Sequence, residues 1–284
     1  MLKKILSRLW KVTVRVFKLI LDPYYGSSAA ELAYFFLLSV VPLSIVLAEI
    51  LGFFSLSLEA IQMAIGSFLS PEMSELLSSY ITYTPSKTLN LIFILLAIWS
   101  ASRAQYALSK ISNYAYGLTN SLGSYVRSRL LAVRSVLFLI FFITFSLSVL
   151  VYGELLLQLV STLTQYLFGI ELAISNIWLL LRWPLGITIY FFIFSFVYAL
   201  APYKRLPIRR VIPGSIFAAI GVLLSSYIYS AYISNFSNYN LLYGSMAALV
   251  SLLFWFFIIS FVLVLGVNVN IAWEEERAFI KNQS

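Results

Sequence analysis

The 284 residues include no cysteine and no histidine. Disulfides, thiol nucleophiles, histidine bases, haem ligation by histidine and His/Cys zinc sites are therefore excluded. Charge is scarce as well: Asp, Glu, Lys and Arg make up 11% of the chain, against about 25% in soluble domains. No P-loop occurs, and the one acidic cluster, Glu274–Glu276, lacks partner ligands for a metal. These absences predict no catalytic residues, no metal and no cofactor, and a protein that is not an enzyme. Loops are short, none much longer than 30 residues, which leaves no room for a separate soluble domain.

Apolar residues are what the chain has in excess, at 61% with a mean hydropathy of +0.93. Several apolar runs exceed 18 residues, the signature of a polytopic helical membrane protein. Ala29–Phe54 organises the rest: its 26 residues carry only two charges, Glu31 and Glu49. That is about 39 Å of helix, enough to cross a hydrocarbon core of about 30 Å. Glu31, Leu38, Pro42 and Glu49 fall within roughly 20° of one line on the helical wheel, which predicts that this face turns into a bundle. Further spans are expected at about 89–107, 130–157, 177–201, 211–234 and 243–272. The fold class is thus all-α, a bundle of six transmembrane helices over residues 23–273.

Residues 1–22 read as a separate element. Lys4, Arg8, Lys11, Arg15 and Lys18 recur every three or four residues, with Leu2, Ile5, Leu6, Leu9, Val16 and Ile20 forming much of the opposite side. This pattern predicts an amphipathic helix along an anionic membrane surface, each basic residue adding about 1 kcal/mol of attraction. A solvated basic tail is the alternative. Between spans one and two, Leu56–Lys87 is weakly amphipathic and Ser70-Pro71-Glu72 has a helix-start pattern, so two interfacial helices are expected there.

The positive charge is strongly one-sided. Of 19 Lys and Arg residues, 17 fall in the N-terminal arm, the connections between spans two and three and between four and five, and the 274–284 tail. Only Lys87 and Arg182 fall on the other side. The positive-inside rule then sets both termini in the cytoplasm, in a cell (inner or plasma) membrane. The net charge of +8 is explained by this rule and calls for no nucleic acid. Expected partners are anionic lipid headgroups, an unidentified substrate and, as an option, further copies of the chain. Pro42-Leu43 and Pro184-Leu185 occupy corresponding spans of two inverted three-span halves, an arrangement common in secondary transporters.

Ionisable and amide side chains inside spans are candidate cavity or transport-path residues, because burying them in lipid is costly. They are Glu31, Glu49, Arg103, Glu154 and Arg182, with Pro42 beside them, and Asn268 and Asn270, for which interhelical hydrogen bonding is the alternative. A Glu154–Arg182 or Glu49–Arg182 pair would line an outer vestibule; the alternative for each residue is to extend to the nearest interface. The small residues Gly214, Ala218, Gly221 and Ser225 form one stripe on span five, and Gly244 and Gly266 lie on span six. Close helix packing is their expected role.

Four stretches carry a family resemblance: AAELAYFFLLSVVPL (29–43), ALSKISNYAYGL (107–118), PYKRLPIRRVIPGSIFAA (202–219) and YISNFSNYNLLYGSMAALVSLLFWFFIISFVLVLGVNVN (232–270). Together they resemble the YihY/BrkB family of membrane proteins. The resemblance implies a six-span inner-membrane protein, with labels in the family ranging from ribonuclease BN to virulence and envelope-lipid transport. Two departures stand out: Glu31, where the family usually has a small or uncharged residue, and Gly266-Val267-Asn268-Val269-Asn270, where it usually has Gly-Ala-Glu-Leu-Asn. The expected function is a transporter or a translocase of lipids or small molecules. The alternative is a non-transporting envelope scaffold that binds lipid or partner proteins; ribonuclease activity is not expected.

Overall fold

The computed structural model describes residues 12–14, 16–18, 21–53, 87–118, 125–168, 174–204, 206–235 and 247–282. Six long helices account for nearly all of them: α1 (Pro23–Phe53), α2 (Lys87–Ala115), α3 (Tyr125–Phe168), α4 (Ile174–Leu200), α5 (Ile208–Asn235) and α6 (Ala247–Asn282). No strand occurs among the described residues. Five helices hold stretches long and apolar enough to cross a bilayer: 23–46, 91–115, 129–146, 208–232 and 249–277. In α4 the described apolar stretch is shorter, Pro184–Leu200. The two interfacial helices expected within 56–87 lie outside the described residues.

Helix ends follow local chemistry. Asp22 caps α1, its Oδ1 accepting the Tyr24 N–H at 2.9 Å, and Pro23 takes the first helical position, where no N–H is needed. The helix therefore begins six residues before the expected span. α2 stops at Gly117, whose φ of 66° ends the helical path. The Leu118 N–H then donates to the Asn113 carbonyl at 2.8 Å, closing the helix with a left-handed glycine. α6 is longer than its apolar run: no Gly or Pro follows Gly266 in the helix, so it continues through Glu274–Glu276 to Asn282. The residues expected as a separate tail are thus mostly its last turns.

Each helix packs on its neighbours in sequence, and α6 closes the ring against α1. On α5, Ile216, Ile220, Leu224 and Ile228 are exposed, whereas Ser215, Ala218, Ala219, Val222 and Ser226 are buried. Large aliphatic groups face outward and small or hydroxylic ones inward, the reverse of a soluble helix and the arrangement lipid favours. Six buried serine hydroxyls stay within their own helices: Ser39, Ser44, Ser100, Ser135, Ser146 and Ser215 each donate to a carbonyl three or four residues earlier.

Residues 12–14 and 16–18 are helical, as the basic stripe predicts, but their apolar side does not simply face the bilayer. Val12 and Val16 are buried against Ala272, with Leu265, Val269 and Trp273 of α6 around them. Phe17 and Lys18 remain exposed. Lys4, Arg8, Lys11 and Arg15 lie outside the described residues.

Candidate functional site

Three features of the bundle combine polar groups with an apolar setting. The first is a cavity of about 220 Å³. α1 contributes Leu32, Phe36, Ser39 and Leu43; α2 contributes Ala101, Ala104, Gln105 and Leu108. α3, α4 and α6 complete the wall, with Leu139, Phe194 and Leu263 among their residues. Only Ser39 and Gln105 are polar, and the Ser39 hydroxyl already donates to the Phe36 carbonyl at 2.9 Å. A buried water needs two to four polar partners, which this wall does not supply. A space of this size is larger than the roughly 150 Å³ that accommodates benzene in an engineered core. Its chemistry suits hydrocarbon.

The second feature is the seam between α5 and α6. Gly214 faces Gly266 so closely that a Cβ there would lie 2.0 Å from the Gly266 carbonyl oxygen. At Gly266 a Cβ would meet the Tyr198 hydroxyl at 2.2 Å, and at Gly221 it would meet Val262 at 2.7 Å. Ala218 is fully buried between them. The approach lets the Gly214 N–H donate to Asn270 Oδ1 at 2.6 Å, while Tyr198 donates its hydroxyl to the Leu263 carbonyl at 2.9 Å. Lower on the same seam, Tyr229 makes short hydrogen bonds to the Ser251 carbonyl and hydroxyl. The stripe expected from sequence is a packing device here, and Asn270 is part of it. Asn268 differs: it is fully buried, and among the described residues neither amide atom has a hydrogen-bond partner. Ser225 is half-buried, and Gly244 lies outside the described residues.

The third feature is a set of polar contacts at the bundle end that holds the start of α1 and the close of α2. Lys110 donates to both Glu31 carboxylate oxygens, at 2.7 and 2.9 Å. Both side chains are 39% exposed, so the pair stabilises by no more than about 1 kcal/mol. Asn113 Oδ1 accepts the Tyr203 N–H at 2.8 Å, and Arg210 pairs with Glu274 at 3.0 Å. These contacts gather the start of α1, the close of α2, the α4–α5 connection and the end of the α6 apolar run.

The expected inward line on α1 is only partly inward. Pro42 is buried, but Leu38 is 40% exposed and Glu31 lies on the flank beside α2. The residues that turn in are Ala29, Leu32, Ala33 and Ser39, while the Glu31 carboxylate pairs with Lys110 of α2. Pro42 itself is not in the cavity wall; Ser39 and Leu43 beside it are. The side chains of Glu49, Glu154 and Arg182 lie outside the described set, and with them the expected outer pairs. Gln105 and Lys110 went unselected from the sequence, although Glu31 and Lys110 lie at similar depths, about 12 Å and 8 Å from their helix ends. Among the described residues no group of three acidic side chains is placed to hold a metal ion.

Comparison with known proteins adds the family. The family described as Virulence factor BrkB matches residues 21–283. A Bacillus subtilis (strain 168) protein, YfkH, whose name carries a ribonuclease-like description, is 32% identical over 86% of this chain and 88% of its own. A UPF0761 membrane protein of Vibrio vulnificus (strain YJ016), VV0203, is 29% identical over 88% of this chain and 78% of its own. No solved structure matches the chain.

Proposed function

We propose, on the premise that this chain belongs to the BrkB family of membrane proteins, that it is a translocase for amphiphilic or small molecules. The observation that carries this reading is the apolar cavity walled by α1, α2, α3, α4 and α6. A hydrocarbon-lined space inside a membrane bundle fits part of an amphiphile, with Gln105 as the polar group that meets its less apolar end. The full-length protein in liposomes is expected to move labelled lipid or small solutes faster than empty vesicles do. Ala104→Phe, which projects a ring into the cavity, is expected to lower that flux about tenfold with unchanged yield and elution. Flux no greater than that of empty vesicles would remove the proposal.

Six spans with both termini in the cytoplasm of a cell membrane complete the reading. Gathering the basic connections at one end of the bundle supports it, as does the 17-of-19 charge bias. With no native cysteine, single-cysteine labelling has no background. Lys204→Cys is expected to react only with reagent on the cytoplasmic side and Asn238→Cys only from outside. Reaction of both from one side would rule out six spans. The protein is read as not an enzyme: a chain without histidine or cysteine offers hydrolytic chemistry few groups to work with.

A further inference from the structure

One exposed stripe on α2 ends in a cation. Leu91, Leu95 and Trp99 are spaced by four residues and are 59%, 60% and 46% exposed, which puts them on the lipid-facing side of the helix. Arg103 is the next residue in that register. It lies about 18 Å along the helix from the α2 terminus at Ala115, deeper than Lys110. Its guanidinium carbon is 5.5 Å from the Trp99 ring and 6.0 Å from the Phe35 ring. Among the described residues no carboxylate pairs with it: the carboxylates of Glu31 and Glu274 are held by Lys110 and Arg210. Its Nε is buried without a hydrogen-bond partner.

A second guanidinium reaches the same tryptophan from another helix. Arg129 of α3 donates from Nη2 to the Trp99 carbonyl at 3.4 Å. A cation inside an apolar span is costly to bury, and an anion beside it lowers that cost. We propose that Arg103, beside Trp99 and with Arg129 of α3 close by, forms a binding site for a phosphate-bearing anion, with the Leu91–Leu95 face holding the attached acyl chain. A guanidinium fork matches phosphate oxygens with paired hydrogen bonds, which a lysine does not provide. The Trp99 ring stands between the guanidinium and the leucine face, in the same register. The site stands whether or not the protein transports anything.

The test uses the full-length protein released from mixed vesicles of phosphatidylglycerol and phosphatidylcholine and weighed intact with its bound lipids. The wild type is expected to retain one phosphatidylglycerol in preference to phosphatidylcholine by about tenfold, and Arg103→Gln to bring that preference near one. Arg103→Lys is expected to fall between them, and Lys18→Gln, an exposed cation elsewhere, to behave as wild type. A parallel arm adds inorganic phosphate to lipid-stripped protein and follows its melting. Stabilisation by phosphate that Arg103→Gln abolishes, with no lipid preference, supports the anion site but assigns it to a soluble phosphate. Should Arg103→Gln fail to fold, Arg129→Gln gives the same readout. No preference and no phosphate effect in the wild type overturns the proposal, as does a preference that both substitutions leave intact.

Discussion

Gly214→Ala is expected to cost the protein most of its folded yield. The added carbon would lie 2.0 Å from the Gly266 carbonyl oxygen and 2.5 Å from Asn270 Nδ2. A backbone carbonyl inside a helix cannot rotate away as a flexible side chain can, so α5 and α6 must separate. Overpacking alone costs about 1–3 kcal/mol. Separation also stretches the 2.6 Å bond from the Gly214 N–H to Asn270, and an orphaned buried donor adds about 1–3 kcal/mol. Against a total stability of about 5–15 kcal/mol, the expected result is a melting temperature lowered by about 10 °C or more, or no monodisperse species in detergent. Gly221→Ala is expected to be milder, because its neighbour is the Val262 methyl at 2.7 Å, which has room to turn. Gly26→Ala, with nothing within 4 Å, should be neutral or slightly stabilising. Thermal denaturation followed by size-exclusion chromatography ranks the three. A Gly214→Ala protein as stable as wild type would mean that the helices do not meet there.

That seam was open to sequence reading because small residues at spacings of four, three and four can be seen without coordinates. The helices were legible for a similar reason: apolar run length, Asp22-Pro23 and Gly117 act through the chain's own backbone. The cavity was not legible. It is a shape produced by five helices at once, and Leu32, Leu108, Leu139, Phe194 and Leu263 look like any other core residues in isolation. In the sequence Lys110 is one of several basic residues between spans two and three, and nothing local marks it as the partner that holds Glu31. Spans predict depth well, but which face of α1 meets α2 is a tertiary property that a helical wheel does not contain. The wheel grouped Glu31 with Pro42 correctly as a line and misjudged where that line points.

Two asparagines that look equivalent in sequence are expected to respond in opposite directions. Asn270 gives its Oδ1 to the Gly214 N–H. Asn270→Leu removes that acceptor, strands the donor in the buried helix seam and adds bulk at the closest helix approach. A loss of about 2–4 kcal/mol is expected. Asn268 lies two residues away, fully buried, with both amide atoms unpartnered. An amide buried without a hydrogen bond costs about 1–3 kcal/mol in protein cores, so Asn268→Leu is expected to raise the melting temperature by several degrees. A residue that costs stability where an apolar one would fit is a candidate for function. If Asn268 belongs to the transport path, Asn268→Leu should be more stable than the wild type and slower in liposome flux. A variant that gains stability and keeps full flux would remove Asn268 from the path and leave it a core amide without a role. A variant that loses stability would show that the amide has a partner in the membrane, bound water or lipid, and that the burial argument for this residue is wrong.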